Sequence, residues 1–211
     1  FQNSCNPAFI LMGQGLGAET FFKYFKAYGL TEKTGIDLPG EEMSIYYTAE
    51  QMGPVELASE SFGQTINLTP IQLITAIAAA VNGGYLVQPH VVKQIIDSDG
   101  NVVENIEPEV KRQVISEETS LFMRELLENV VTNGSGKNAY VAGYRVGGKT
   151  GTSQKQNLKN EDGSITKYIS SFCGIAPADD PEIAIIVLLD EANVANYYGS
   201  AIAAPVVGQI F

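Results

Sequence analysis

Helices packed on an antiparallel sheet, a mixed α/β fold of the α+β type, are expected from this sequence on three grounds. Strand-like runs at about 144–152, 168–176 and 182–189 follow one another late in the chain. No crossover helix fits between Tyr168 and Leu189, so these strands must pair antiparallel. Helix starts are equally plain: Thr69 caps, Pro70 takes the first position and Gln72 completes a capping box, while Ser116 caps a second helix with Glu117 and Glu118 in its first turn. Finally, Ser98-Asp99-Gly100 separates 91–97 from 101–106 as a hairpin turn.

The remaining elements follow in order. Pro7 suits a first helical turn with Asn6 as its cap, and the apolar residues 8–12 lead into Gly13-Gln14-Gly15-Leu16-Gly17, read as a helix end and turn. These glycines resemble a dinucleotide fingerprint only loosely, since no strand precedes them and the spacing is wrong. Residues 19–28 form a helix whose Phe21, Phe22, Phe25 and Tyr28 share a face, which Gly29 ends. An aromatic stripe of this kind is core packing. Residues 34–61 lack periodicity and read as surface loop with a short helix near 49–52. The helix after Thr69 runs to Val81, is apolar almost all round, and is expected to be central and buried. The helix after Ser116 reaches Val131 and stops at Asn133-Gly134; the polar span 153–167 is a loop turning at Asp162-Gly163, and 199–211 is a closing helix bent at Pro205.

Composition bounds the function. The chain has 211 residues, 45% hydrophobic and 18% charged, enough for one large domain or two small ones with a sizeable core. A net charge of −11 argues against a nucleic-acid partner, which would need a basic face. No apolar run approaches the ~20 residues that span a bilayer; the longest, 183–189, is strand length. Cys5 and Cys173 show no metal-ligand spacing; two buried free thiols are expected, with a disulfide between them as the alternative. The single histidine, His90, has no ligand cluster near it, so neither a histidine triad nor a metal site is expected. The chain opens at Phe1 without an initiator methionine and is expected to be a piece of something longer.

Chemistry concentrates in Gly147-Gly148-Lys149-Thr150-Gly151-Thr152-Ser153. Two chemistries want that mixture of cation, hydroxyls and glycines. A phosphate-binding loop uses glycine N–H groups to cradle phosphates, and Gly143–Thr150 matches G-x-x-x-x-G-K-[ST], with Asp190 at a strand end where magnesium would be held. Such a loop must open directly into a helix. Here Thr150 is followed by Gly151-Thr152-Ser153-Gln154 and a polar run with no apolar face, so the ATP-binding reading is the weaker alternative. The other chemistry is serine acyl transfer, in which a Lys-Thr-Gly edge strand grips a carboxylate and offers an N–H to an oxyanion.

Lys149-Thr150-Gly151-Thr152 resembles the third motif of the penicillin-binding protein and serine β-lactamase family, and Ser4-Cys5-Asn6 resembles its second, Ser-x-Asn. Phe62-Gly63-Gln64, Leu68-Thr69-Pro70-Ile71-Gln72-Leu73, Asn82-Gly83-Gly84, Gly143-Tyr144, Tyr197-Tyr198-Gly199 and Ala204-Pro205 resemble the connecting sequence of class B penicillin-binding transpeptidases. The resemblance covers essentially the whole chain. Read without it, Ser4 and Asn6 would be ordinary helix-capping residues and Lys149 a solvated lysine.

The resemblance implies roles. Ser4 would relay a proton between nucleophile and leaving amine while hydrogen-bonded to Lys149, and Asn6 would hold the donor peptide backbone. Lys149 would supply positive potential, and Thr150 and Thr152 would bind the carboxylate of a D-Ala-D-Ala stem peptide or of a β-lactam. The Thr152 N–H would serve the oxyanion, with Gly151 leaving room for substrate. No cofactor or metal is implied. The family's Ser-x-x-Lys nucleophile should precede Ser-x-Asn; Ser164-Ile165-Thr166-Lys167 follows the strand instead and is rejected as nucleophile. Residues 1–211 are therefore expected to be the C-terminal portion of a transpeptidase domain, an incomplete fold inactive alone, with a sheet edge open to dimerisation or aggregation. The parent would be membrane-anchored, on the extracytoplasmic face of the bacterial membrane, within a cell-wall synthesis complex.

Overall fold

The computed structural model describes residues 1–211 apart from Gln156, Asn157, Lys159 and Glu161, so part of the expected 153–167 loop lies outside the described residues. Helices α1 (Asn6–Leu16), α2 (Ala18–Ala27), α3 (Pro54–Ser61) and α4 (Pro70–Val81) come first. Short strands β1 (Tyr85–Gln88), β2 (Gln94–Ile96), β3 (Val102–Asn105) and β4 (Glu109–Gln113) precede α5 (Glu117–Thr132). Strands β5 (Gly147–Gln154), β6 (Tyr168–Ala176) and β7 (Ile183–Asp190) form the main sheet, and α6 (Gly199–Ile202) and α7 (Ala204–Ile210) close the chain.

The main sheet is antiparallel in the order β5-β6-β7. Lys149 stands opposite Cys173, and Phe172 opposite Val187. Alternation along these strands separates two cores. Phe172, Ile185, Val187 and Leu189 pack with Val131, Ala203, Ala204 and Val207, while Ile175 and Ala184 pack with Val81 and Leu127. The sheet is thus a middle layer, with α6 and α7 on one face and α4 and most of α5 on the other, while Val131 at the end of α5 joins the first core. Gly174 permits the first packing, because a Cβ there would run into Val207 and Phe211.

Several expectations stand as read. Thr69 and Gln72 form the capping box, Ser116 accepts from Thr119 N–H, β2 and β3 pair across the Asp99-Gly100 turn, and the closing helix divides around Ala203 with Pro205 in the first turn of α7. Others are corrected. Cys5, not Asn6, is the N-cap of α1, and α1 continues through Gly13 and Gly15 to Leu16. Gly13 is a helical contact point: a Cβ there would overlap the Ser61 side chain, so its smallness lets α1 lie on α3. The short helix expected near 49–52 lies later, starting at Pro54 after Gly53. Proline's fixed φ favours that first position. Cys5 is exposed and Cys173 buried, both as free thiols. Helix α4 is central, but only Gln72, Ala76, Ala79 and Val81 are fully buried. The β1–β4 pair carries no turn signal between its partners, since β2 and β3 intervene.

Candidate active site

The site forms where β5, the edge of the sheet, meets the segment leading into α1. Residues Phe1 to Ser4 close a turn, with Ser4 N–H donating to Phe1 O at 3.0 Å, and Ser4 takes a left-handed φ of 50°. Such a conformation in a non-glycine residue costs about 1–3 kcal/mol and persists when its surroundings hold it. Two things hold it here. Cys5 starts α1, accepting at its carbonyl from Phe9 N–H at 3.2 Å. The Ser4 hydroxyl accepts a short hydrogen bond from Lys149 Nζ, which also donates to Thr150 O at 2.9 Å.

Burial holds the Lys149 ammonium below its ordinary pKa. Cys173, opposite it on β6, is pushed up to about 12 by burial, so it stays a neutral thiol and offers Lys149 no counter-charge near neutral pH. Half-buried and with no carboxylate paired to it among the described residues, the cation projects positive potential toward Ser4.

Each threonine of the strand is held by a different partner. Thr150 Oγ1 lies 3.2 Å from Ser135 Oγ, at the end of α5. Thr152 Oγ1 accepts from Gly199 N–H at 3.1 Å, which leaves its own proton to point elsewhere. Gly199 approaches so closely that a Cβ would collide with the carbonyls of Ser171 and Gly151. The segment ahead of Gly199 is pinned by buried Ser170, whose hydroxyl donates to Tyr197 O. Because β5 is an edge strand, alternate N–H groups along it face away from β6.

Of the residues read from sequence, the fold brings Ser4 and Lys149 into contact, with Thr150, Gly151 and Thr152 continuing the same strand. Asn6 is the first residue of α1 and exposed, and no hydrogen bond joins it to β5 among the described residues. Ser135 escaped the sequence reading. A serine between glycines after a helix reads as an ordinary helix stop, and nothing local signals that it reaches a strand 15 residues on.

The phosphate-loop reading of Gly143–Thr150 with Asp190 is corrected. Thr150 lies inside β5, which continues to Gln154, so no helix N-terminus opens behind it. Asp190 accepts from Lys155 Nζ at 2.9 Å. Ser164 donates to Asp162 at 2.6 Å and Lys167 pairs with Glu191 at 2.9 Å, so that Ser-x-x-Lys pattern is spent on a surface turn.

A helix-flanked antiparallel sheet whose edge strand carries Lys-Thr-Gly-Thr, with the lysine on the serine of a Ser-x-Asn segment, defines the architecture of the penicillin-recognising serine enzymes. Comparisons agree. The family model described as "Penicillin binding protein transpeptidase domain" matches residues 1–211, and the chain belongs to that family. Stage V sporulation protein D of Bacillus subtilis is 49% identical over 210 residues, covering 99% of this chain and 32% of that protein. A peptidoglycan D,D-transpeptidase FtsI homolog of Mesostigma viride is 31% identical, covering 99% of this chain and 37% of that protein. Among solved structures, penicillin-binding protein 3 of Mycobacterium tuberculosis, complexed with aztreonam, superposes with a TM-score of 0.86 at 30% identity, covering 100% of this chain and 48% of that one. The chain thus spans about a third of the curated relatives it matches and about half of the solved chain.

Proposed function

We propose that residues 1–211 form the C-terminal part of a peptidoglycan D,D-transpeptidase domain and supply two sides of its acyl-transfer site. The observation that carries this reading is the Lys149–Ser4 hydrogen bond, which joins the two motifs across 145 residues. Amide attack needs a nucleophile, a proton relay, an oxyanion site and a grip on the substrate. Ser4 is the relay: its hydroxyl passes a proton between the nucleophile and the leaving amine, and the Lys149 potential stabilises the oxygen as it does so. Thr150 and Thr152 donate to the carboxylate of a stem peptide ending in D-Ala-D-Ala, or of a β-lactam. The Thr152 N–H serves the oxyanion, and exposed Asn6 holds the donor peptide backbone.

The nucleophile in this reading lies outside residues 1–211. The Ser164–Lys167 pattern is a poor substitute, since its serine is bound to Asp162 and its lysine to Glu191. In this reading the protein works on the extracytoplasmic side of the membrane, where peptidoglycan lies, as a membrane-anchored member of a cell-wall synthesis complex. No helix among the described residues is long and apolar enough to cross a bilayer, so anchoring needs a segment other than these.

The natural full-length polypeptide should label covalently with a fluorescent penicillin, and excess aztreonam should compete for the label. A full-length protein that takes no label, or a Lys149→Ala variant that labels as fast as wild type, would sink the reading.

A further inference from the structure

We propose that Ser135 is a positioning residue for ligand carboxylates: it holds the Thr150 hydroxyl so that the Thr150 proton faces an incoming carboxylate. The inference rests on the reading of Lys149–Thr152 as a carboxylate-binding strand. Ser135 belongs to the turn that ends α5, and this turn clasps the chain just ahead of Ser4. Ser135 N–H donates to Gln2 O at 3.1 Å, and Gln2 Nε2 donates to Asn133 O at 3.0 Å. A Cβ on neighbouring Gly134 would strike that same Gln2 carbonyl, so the fit is close. From this seat the Ser135 hydroxyl lies 3.3 Å from Gln2 O and 3.2 Å from Thr150 Oγ1. One side chain reaches both the segment ahead of Ser4 and the Lys149–Thr152 strand.

A serine hydroxyl has one proton to give and can also accept. With its proton on Gln2 O, Ser135 can only accept from Thr150, and the Thr150 proton then points inward. With its proton on Thr150 Oγ1, Ser135 frees the Thr150 proton to point outward. Gln2 O keeps the Ser135 N–H in either case, so the second arrangement leaves no carbonyl unpartnered. A carboxylate beside Thr150 favours that arrangement, and each bond in the chain from Ser135 to Thr150 to carboxylate polarises the next. Thr152 reaches the same state through Gly199 N–H. Each threonine therefore has an internal donor behind it.

The test uses the natural full-length polypeptide and stopped-flow acylation by a fluorescent penicillin, which separates half-saturating concentration from limiting rate. Ser135→Thr keeps the hydroxyl; Ser135→Val has the same shape without it, and Ser135→Ala repeats the comparison with no added bulk. Loss of the hydroxyl should raise the half-saturating concentration about tenfold, the equivalent of one hydrogen bond, with the limiting rate changed less than about threefold. Ser135→Thr should stay within about twofold of wild type. The methyl ester of the same penicillin, which lacks the carboxylate charge, should not distinguish the variants. Valine or alanine binding as well as threonine, or equal losses for acid and ester, would overturn the role of Ser135 while wild-type labelling upheld the site. An unlabelled wild type would overturn both.

Discussion

Lys149 donates to the hydroxyl of Ser4 from the middle of an edge strand, and the same ammonium holds the Thr150 carbonyl at 2.9 Å. One half-buried amine thereby fixes the position of the serine relative to the strand. Replacing it should remove chemistry more than stability. Lys149→Ala and Ser4→Ala, in the full-length protein, are expected to slow penicillin acylation by about 10²–10⁴, the usual range for a positioned proton-transfer group. Lys149→Arg should not rescue, since a planar guanidinium cannot occupy the space of a compact ammonium. Labelling rates beside far-UV circular dichroism would check both points.

Gly199 ties the closing helices to the same strand. Its N–H reaches Thr152 Oγ1 at 3.1 Å, and an added Cβ would meet backbone carbonyls on two strands. Backbone cannot rotate away as a side chain can. Gly199→Ala should therefore cost about 1–3 kcal/mol in stability and slow acylation as well. Denaturant unfolding and labelling of one preparation would show whether the two losses occur together.

The capping box of α4 is remote from the site and offers a contrast. Thr69 Oγ1 accepts from Gln72 N–H at 3.2 Å, and Gln72 Nε2 extends to Glu32 O at 2.8 Å. Thr69→Ala should lower stability by about 1 kcal/mol, a fall in Tm of roughly 2–4 °C for a domain of this size. The limiting acylation rate should not change.

Glu60 makes stability depend on pH. It is 3% exposed, and Oε2 is buried with no hydrogen-bond partner among the described residues. Tyr47 N–H reaches the other oxygen at 3.2 Å, but burial dominates and raises the carboxyl pKa. For an acid raised in the folded state, the stabilising contribution is complete below the ordinary value of about 4.5 and is lost as pH climbs through the folded value. Wild type should accordingly lose stability as pH rises above about 4.5 relative to Glu60→Gln, which cannot ionise. The two proteins should converge at pH 4 and separate at pH 7.5, with the glutamine variant the more stable; parallel melting curves across that range would count against buried ionisation.

Much of this was legible in the chain itself. Thr69 through Gln72, Ser116 with its glutamates, and Ser98-Asp99-Gly100 are local signals, each read correctly because the residues that form the motif lie within a turn of one another. The Lys-Thr-Gly-Thr strand was also legible, together with its failure to open into a helix. Misreadings occurred where a distant partner overrode local preference. Gly13 looked like a helix stop and is a helical contact point because Ser61 lies against it. Asn6 looked like a cap and yielded that position to Cys5, because the turn from Phe1 to Ser4 sets the register of α1. Ser135 gave no signal, since its partners are Gln2 and Thr150.

Which groups can donate, accept or carry charge, and in what order they occur, follows from the residues alone, as do the strand and helix periods that carry them. That Lys149 reaches Ser4, that Ser135 stands behind Thr150 and that Gly199 stands behind Thr152 do not follow from any local run. Those contacts depend on strand register, on a turn at the end of α5 and on glycines small enough to let backbones meet, and each is a balance among segments far apart in the chain.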